Sequence, residues 1–438
     1  MGESLVVPRA VGYSGSGAAP GGRVAHCVDV ARPRGSYDHR RVARPFPTRL
    51  FAFAFLGWAF DFYDLVLIGF LKEPVGHTFH LSAASEAWML GVALGSSGIG
   101  GIVAGALADR FGKRDILAAT VLLYSLGSLV AGAAPVFEVF LLGRALVGLG
   151  VGGEWAIGHG MLAEAVEPSY RGRASALLQA GEPVGVAIAA VAGYLLVPRL
   201  GWRWVMIGSS ATALLAFAMR SSLHLPNTRA EKRPPLRAIL AAGVGRKMVL
   251  AWVLGVLKLG TYWTCYTWLP SFLLKEMHQG VGRSLTWVIT AQTGQLLGML
   301  TFGQVADRMG RRIAYSVYSL ITALALATLA FRWEALSETP ALFWATMATL
   351  GFGSGCTAGF GALLAELYPT EVRSLAMGTT YNLARAVQLG APLLVAWAVG
   401  LHGLEGGLSV PLLLALATAA WVWVLPETRG IELASLEP

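Results

Sequence analysis

The sequence carries little charge for its length. Only 13% of its 438 residues are Asp, Glu, Lys or Arg, whereas soluble domains typically have about 25%. Hydrophobic residues make up 55% of the chain. This composition excludes a water-soluble globular protein, because so few charges cannot cover the surface. It also excludes disorder over most of the length, because disordered chains are rich in charge.

Cysteine is scarce as well. Cys27, Cys265 and Cys356 are the three cysteines, and their spacing provides neither a disulfide framework nor a zinc or haem site. No cofactor and no metal are therefore expected. The sequence has no phosphate-binding loop before a helix and no nucleophile motif, so neither ATP-driven transport nor enzymatic catalysis is expected. The excess of 34 basic over 25 acidic residues is interpreted as basic membrane-flanking loops, and no nucleic-acid partner is expected.

Twelve segments are apolar and long enough to cross a bilayer, which takes about 20 residues. They span residues 50–70, 87–108, 116–134, 137–163, 174–197, 202–219, 249–274, 285–306, 313–331, 341–365, 376–401 and 408–425. The sequence therefore predicts an all-α membrane protein with twelve transmembrane helices. They are expected to form two six-helix bundles, residues 50–221 and 248–426, joined by a cytoplasmic linker over residues 222–247.

The two ends of the chain are predicted to be tails. Residues 1–49 are rich in Gly, Pro and Arg and lack the apolar core of a secretory signal, so a disordered cytoplasmic tail is expected there. A second tail is expected over residues 427–438. Most lysines and arginines fall in these tails, the linker and alternate loops, which predicts that both termini face the cytoplasm in an inner (plasma) membrane. The protein is expected to work as a monomer.

The two halves of the chain resemble each other. Gly105–Arg114 follows the second predicted span, and Gly303–Arg312 has the same glycine, aspartate and arginine pattern after the eighth. A second pair of motifs, Leu162-Ala163-Glu164 with Arg171 and Leu364-Ala365-Glu366 with Arg373, follows the fourth and tenth spans. Two pairs in the same order indicate a duplicated six-helix unit, an architecture that recurs in secondary transporters.

The charged residues of these repeated loops are candidates for gating. They could simply anchor the loops on the cytoplasmic side. We favour a latch that holds that side closed in one conformation, because oppositely charged residues recur together in both copies. The candidates are Asp109, Arg110, Arg114, Glu164, Arg171, Asp307, Arg308, Arg312, Glu366 and Arg373.

With these motifs, the chain resembles the major facilitator superfamily over about residues 50–430. Leu425-Pro-Glu-Thr-Arg-Gly430 is similar to the ending of sugar porters, and Gly143-Arg144 followed by a glycine run and Glu154 is similar to the fourth helix of sugar-porter and metabolite–proton symporter relatives. Gly57–Asp64 and Tyr381–Arg385 are more similar to the organic-acid branches. The resemblance implies a two-bundle fold and secondary transport by alternating access.

Seven ionisable residues fall inside predicted spans. An ionisable group at the centre of a membrane helix costs about 2.5–3.5 kcal/mol on insertion scales, so these groups must face one another or a wet cavity. Such a cavity marks a pathway for substrate or ions. The seven are Asp61, Asp64, Arg144, Glu154, Glu182, Lys258 and Arg385.

Three of the acidic members, Asp61, Asp64 and Glu154, are candidates for proton coupling. Asp61 and Asp64 share one helix face, and two close carboxylates in a poorly hydrated place repel each other, so one of them readily holds a proton. Alternatively, one aspartate forms a salt bridge with a basic residue of the fourth helix and never titrates. Glu154 is a third candidate. Its counterpart in the second half is Cys356, so the fold of that unit does not need the charge. We interpret His159 as a packing residue.

The basic members are candidates for substrate binding, together with Glu182, Tyr262, Gln292 and Asn382. Arg385 suits bidentate binding of a carboxylate and shares a helix face with Asn382; alternatively, it pairs with Glu182. Arg144 could hold the substrate or an aspartate. Lys258, on a stripe with Tyr262, could contact an anion or extend towards the cytoplasm. Gln292 and Gln295 could bind substrate or serve packing.

The sequence therefore predicts proton-coupled import of a small organic anion, such as a carboxylate, a sugar acid or an aromatic acid. The expected partners are a small-molecule substrate and the lipid bilayer, with protons as the coupling ion. A sugar or polyol symporter is the main alternative. An exporter and a nutrient receptor without transport are further ones.

Overall fold

Helices form every regular element in the part of the chain that the computed structural model describes. That part comprises residues 47–166, 171–212, 243–276, 281–369 and 373–429, with positions 214 and 218. The predicted tail over residues 1–46, most of the linker and residues 430–438 lie outside the described residues. The prediction of an all-α fold is confirmed, while the two domain boundaries stay predictions.

The first half contains helices α1 to α6. Their bounds are Thr48–Phe79 (α1), Ala83–Phe111 (α2), Lys113–Ala133 (α3) and Phe137–Ala165 (α4). Helix α5 consists of Arg171–Gln179 and Gly181–Val191, a π-helical turn Ala192–Leu196, and Val197–Leu200. Helix α6 begins with Trp202–Ser209 and the 3₁₀ turn Ser210–Thr212. The described residues therefore include all six predicted spans of this half, the last only in part.

The second half contains helices α7 to α12. Their bounds are Val244–Glu276 (α7), Val281–Met309 (α8) and Arg311–Phe331 (α9), which a short helix Trp333–Glu338 follows. Helix α10 comprises Pro340–Ser354, a 3₁₀ stretch Gly355–Gly359 and Phe360–Leu367. Helix α11 comprises Arg373–Ala386, the 3₁₀ turn Val387–Gly390 and the first part of Ala391–Trp421. His402 and Gly403 leave the helical conformation and separate α11 from α12, which ends with the 3₁₀ turn Val422–Val424.

Ten helices in the described residues are long and apolar enough to cross a membrane. The other two predicted spans are α6, described continuously only to Thr212, and α8, whose glutamines lower its mean hydropathy. Helix α1 continues beyond the predicted end of the first span, to Phe79. In this polar extension Lys72 forms an ion pair with Glu86 of α2, at 3.1 Å.

The internal repeat is visible in two equivalent turns. Gly112 lies between α2 and α3 with φ of 103°, and Gly310 lies between α8 and α9 with φ of 100°. Only glycine adopts this conformation without strain, which explains the glycine in each copy of the loop motif. We call the side of the protein that carries these two turns the basic end.

Glycines bring helices into backbone contact in both halves. A Cβ added at Gly152 of α4 would collide with the Ser97 carbonyl of α2, and one added at Gly351 of α10 would collide with the Ala291 carbonyl of α8. Small residues at membrane-helix interfaces allow such close approach. The glycine runs of α4 and α10 are therefore packing seams, and they fix the backbones that carry the charged residues.

Candidate functional site

The seven ionisable residues predicted inside the spans are all buried. The exposed fraction of each is at most 5%. They come from α1, α4, α5, α7 and α11 of both halves: Asp61, Asp64, Arg144, Glu154, Glu182, Lys258 and Arg385. We call these residues the charge cluster. Its members interact electrostatically, since Arg385 of α11 is a neighbour of Asp61, Glu154 and Glu182.

Arg385 is held by aromatic rings of the opposite half. Its guanidinium carbon lies 5.7 Å from the ring centroid of Trp58 and 5.9 Å from that of Phe62, both within cation–π range. Neither Nη1 nor Nη2 of Arg385 has an acceptor among the described residues. The two donors of a planar fork are thus free to bind a carboxylate. Neither ring was among the predicted site residues, although both neighbour Gly57 and Asp61 in the sequence.

Asp64 and Arg144 meet through the main chain. Arg144 Nη1 donates a hydrogen bond to the main-chain oxygen of Asp64 at 3.1 Å, and Ser128 Oγ donates to Asp64 Oδ1 at 3.2 Å. Arg144 Nε and Nη2 lack acceptors among the described residues. Arg144 therefore steadies α1 and keeps two unused donors.

Asp61 and Glu154 face each other between α1 and α4. The two carboxyl groups are close enough to interact electrostatically. Neither oxygen of Asp61, nor Oε1 of Glu154, has a hydrogen-bond partner among the described residues. Because two buried carboxylates repel each other, this pair is a candidate for holding one proton in common.

Gly57 makes room for Glu154, since a Cβ added there would lie 2.7 Å from Glu154 Oε2. We therefore expect Gly57→Ala to fold, because a flexible carboxyl end can shift, but to displace Glu154 from Asp61. Uptake of substrate into proteoliposomes should fall about tenfold, corresponding to about 1.4 kcal/mol. Gly208→Ala, at an exposed position of α6, is the matched control because a Cβ there meets nothing within 4 Å. Equal uptake by the two variants would contradict the prediction.

Glu182 is bound by amides rather than by Arg385. Gln295 of α8 donates from Nε2 to Glu182 Oε1 at 2.7 Å, and Gln179 donates from Nε2 to Oε2 at 3.1 Å. Trp155 Nε1 in turn donates to Gln179 Oε1 at 3.3 Å. In this conformation Gln295 therefore joins the halves through α5 and α8. The role of Gln179 was not predicted.

The second half contributes further polar groups. Lys258 Nζ donates to the Ser354 carbonyl at 3.4 Å, next to the 3₁₀ stretch of α10. The Tyr262 and Tyr266 hydroxyls and both amide atoms of Gln292 are buried without partners among the described residues. The ring of Tyr262 lies 6.0 Å from that of Phe62 in α1. Tyr262 and Gln292, both predicted substrate contacts, thus keep free hydrogen-bonding groups.

Helix α11 also contacts the first half beside Arg385. Asn382 packs against α2 where Gly101 lacks a side chain, and its Oδ1 has no donor among the described residues. Tyr381 stacks on Trp155 of α4 with ring centroids 4.0 Å apart and an interplanar angle of 15°. This stack lies between the charge cluster and the basic end, because α4 ends and α11 begins at that end.

The predicted gating residues are only partly described. The side chains of Asp109, Glu164, Arg171 and Arg373 lie outside the described residues. Arg110 is exposed over the ring of Phe111, Arg114 pairs with Asp115 at 3.2 Å, and Arg308 is exposed. Their gating role stays a prediction.

In the second half, the loop charges form a network around Arg311. Arg311 binds Glu366 of α10 through two hydrogen bonds of 2.8 and 3.2 Å and also bonds Asp307. Glu366 accepts a further bond from Thr428, which follows α12. Arg312 donates to the Leu425 carbonyl. Arg308 and Arg312 are among the predicted gating residues but Arg311 is not, because a helical repeat alone does not tell which of two adjacent arginines faces α10.

Glu427 caps the start of α9. Its carboxylate accepts hydrogen bonds from the backbone N–H groups of Arg311, Arg312, Thr428 and Arg429 at 2.8 to 3.1 Å. Burial acts to raise the pKa of Glu427, but the four donors outweigh it and hold the pKa below its ordinary value of 4.5. Gly310, which precedes α9, provides no side-chain cap of its own.

We expect Glu427→Ala to lower the free energy of unfolding by about 1–2 kcal/mol, as for the loss of a helix cap. Because the folded pKa is lowered, the stabilisation is present above pH 4.5 and is lost as the pH falls through the folded pKa. Thermal unfolding in detergent at several pH values measures the difference. Glu338→Ala, at an exposed position, is the control, and a wild-type advantage that grows on acidification would contradict the prediction.

Comparisons with known proteins point to one family. A family model described as "Major Facilitator Superfamily" matches residues 50–289 and 281–436. The chain is 30% identical to the "Probable 4-methylmuconolactone transporter" of Cupriavidus pinatubonensis, over 90% of this chain and 94% of that protein. It is 30% identical to the "Cis,cis-muconate transport protein" of Acinetobacter baylyi, over 78% and 85%. The fold is similar to a crystal structure of a D-xylose–proton symporter, with a TM-score of 0.70, 20% identity and coverage of 88% and 99%.

Proposed function

The chain belongs to the Major Facilitator Superfamily and is a multi-pass membrane transporter, and we propose that it imports a small organic anion together with protons. Alternating access between the two six-helix halves is the proposed mechanism. The basic end is proposed to be the cytoplasmic side, with both termini there, because lysines and arginines concentrate on cytoplasmic loops. The protein is proposed to work as a monomer in an inner (plasma) membrane.

The unpartnered guanidinium of Arg385 carries the proposal for an anionic substrate. A buried cation with two free, parallel donors suits a carboxylate. The rings of Trp58 and Phe62 flank it and favour a flat, unsaturated or aromatic body attached to that carboxylate. Two relatives are named as transporters of unsaturated organic acids, which supports the same class of substrate here. Tyr262, Gln292 and Asn382 are proposed to bind other polar groups of the substrate.

The charge balance of the cluster supports proton coupling. The cluster contains four acidic and three basic residues. The acids are Asp61, Asp64, Glu154 and Glu182, and the bases are Arg144, Lys258 and Arg385. One proton shared by Asp61 and Glu154 makes this set neutral and so lets it accept a monocarboxylate, and release of both the proton and the acid leaves the set with the charge it has when both are bound. Buried net charge is costly, so we propose that each monocarboxylate enters with this one proton. Asp64, which keeps one unpartnered oxygen, is the proposed alternative site for the proton.

We propose that contacts at the basic end hold the transporter closed on that side in this conformation. The stack of Trp155 on Tyr381 joins the halves there. The network around Arg311 lies within the second half and ties α8, α9 and α10 to the segment after α12. In this proposal, opening the basic end separates the stack, while the Arg311 network moves with its half.

Uptake into proteoliposomes with an imposed pH gradient tests the proposed function. The panel contains labelled hydroxybenzoates, cis,cis-muconate, gluconate and xylose. We expect uptake of the unsaturated and aromatic acids, dependent on the gradient and absent from protein-free vesicles. Preference for xylose would instead support a sugar symporter, and uptake indifferent to the pH gradient would contradict proton coupling.

A further inference from the structure

We propose that His159 and one water molecule beside Glu154 pass protons between the charge cluster and the basic end. The inference rests on the proposed function, in which Glu154 shares a proton with Asp61. It adds the route by which that proton leaves. His159 follows Glu154 by five residues, about 7.5 Å further along α4, in the direction of the basic end.

A small cavity lies between Glu154 and His159. Both residues line it, together with Gly158 of α4 and Trp58 of α1, and apolar side chains of α1, α3 and α5 close the rest. The centre of a water molecule can occupy about 10 Å³ of it, which is about the volume that one water requires. The cavity therefore suits a single water molecule rather than a substrate.

The polar groups around the cavity fit a bound water. Glu154 Oε1 and Trp58 Nε1 are buried without a partner among the described residues, and the exposed fractions of their side chains are 5% and 2%. A buried water needs two to four polar neighbours (about three on average). The indole N–H donates, and the carboxyl oxygen accepts or donates according to its protonation. His159 supplies the third group.

The tautomer of His159 is fixed by its hydrogen bond. Nδ1 lies 2.9 Å from the main-chain oxygen of Trp155, and because a carbonyl only accepts, Nδ1 carries the hydrogen. In the neutral ring Nε2 is then an acceptor. The rings of Trp155 and Trp58 lie 4.9 and 6.3 Å from the imidazole and hold its plane. The residue is thus fixed in place with one nitrogen ready to take a proton.

The transfer is balanced in protons. The Glu154 carboxyl gives its proton to the water while the water gives one to His159 Nε2, which leaves a carboxylate, a water and an imidazolium. When the basic end opens, Nε2 releases the proton to solvent and the neutral ring returns. Other ionisable groups near Glu154 are Asp61 on α1, Arg385 on α11 and Tyr124 on α3. Asp61 and Arg385 belong to the charge cluster, on the other side of Glu154 from the basic end in this route.

Infrared spectroscopy of the full chain, reconstituted without substrate, tests the route. The carbonyl band of the protonated carboxyl is assigned by its loss in Glu154→Gln, and its shift is followed after transfer to D₂O. We expect His159→Gln, which can keep a hydrogen bond to Trp155 but cannot carry a proton, to slow this exchange about 100-fold. Gly158→Ala should also slow it, because the added methyl lies 3.7 Å from Ala54 Cβ and so fits, but occupies the cavity.

Gly208→Ala, at an exposed position of α6, is the control and should exchange like the wild type, since its Cβ meets no atom within 4 Å. Unchanged exchange in His159→Gln would overturn the proposal, even if Gly158→Ala were slow, because water alone would then suffice. If the carbonyl band of the protonated carboxyl persists in Glu154→Gln, both the proposed route and the shared proton are overturned. The infrared measurement needs no substrate. Its result can therefore be interpreted even if none of the acids in the uptake panel is transported.

Discussion

Arg385→Ala is expected to reduce acid uptake by about 100-fold or more. Removing one partner of a buried, hydrogen-bonded charge pair costs about 2–5 kcal/mol, and each 1.4 kcal/mol is about tenfold in affinity. Arg385→Lys should lose most of the uptake too, because lysine keeps the charge but not the planar fork that binds a carboxylate at two points. Initial rates of labelled acid uptake into proteoliposomes measure both effects.

Arg199→Lys is the control for the conservative change. Its guanidinium donates to the main chain of its own helix at an exposed position, so uptake should equal that of the wild type. Equal uptake by Arg385→Lys and the wild type would contradict bidentate binding. Unchanged uptake in Arg385→Ala would remove Arg385 from the substrate site altogether.

Asp61→Asn and Glu154→Gln are expected to abolish accumulation while leaving exchange of substrate across the membrane. An amide cannot carry the shared proton, and each variant leaves three acids against three bases in the charge cluster, which is neutral without a coupled proton. With one proton per anion, a pH gradient of about one unit supports about tenfold accumulation in the wild type. Both variants should reach a ratio of about one, while counterflow of labelled against unlabelled acid continues.

Glu138→Gln, an exposed position in the first turn of the same helix α4, is the control and should accumulate normally. If Asp61→Asn and Glu154→Gln still concentrate the acid, the shared proton does not drive transport. If only Asp64→Asn loses accumulation, the coupling site lies at Asp64 instead.

Much of the fold could be predicted from the sequence, because a membrane imposes long apolar segments. Hydropathy located the spans, and the two glycine turns revealed the repeat. Helix ends were harder to place, since α1 continues beyond its apolar part to Phe79, where Lys72 pairs with Glu86 of the next helix. A hydropathy profile reports neither the polar continuation of a helix nor its partner on another helix.

The buried charges were also predictable, because ionisable residues are rare and costly inside spans. Their partners were not. These partners depend on how each helix is rotated and on which helices meet between the halves, and the order of residues along one helix determines neither. The examples are the bond from Gln295 to Glu182, the pairing of Glu366 with Arg311 rather than Arg312, and the aromatic rings around Arg385. The gating roles of Asp109, Glu164, Arg171 and Arg373 remain predictions, because their side chains lie outside the described residues.

The central claim is that a neutralised charge cluster carries one proton with each carboxylate. Simultaneous recording of proton entry with an internal pH dye and of labelled acid entry tests it most directly. We predict about one proton per monocarboxylate and a rate that does not change with an imposed membrane potential. Entry of the anion without proton uptake, at a rate set by the membrane potential, would contradict the account.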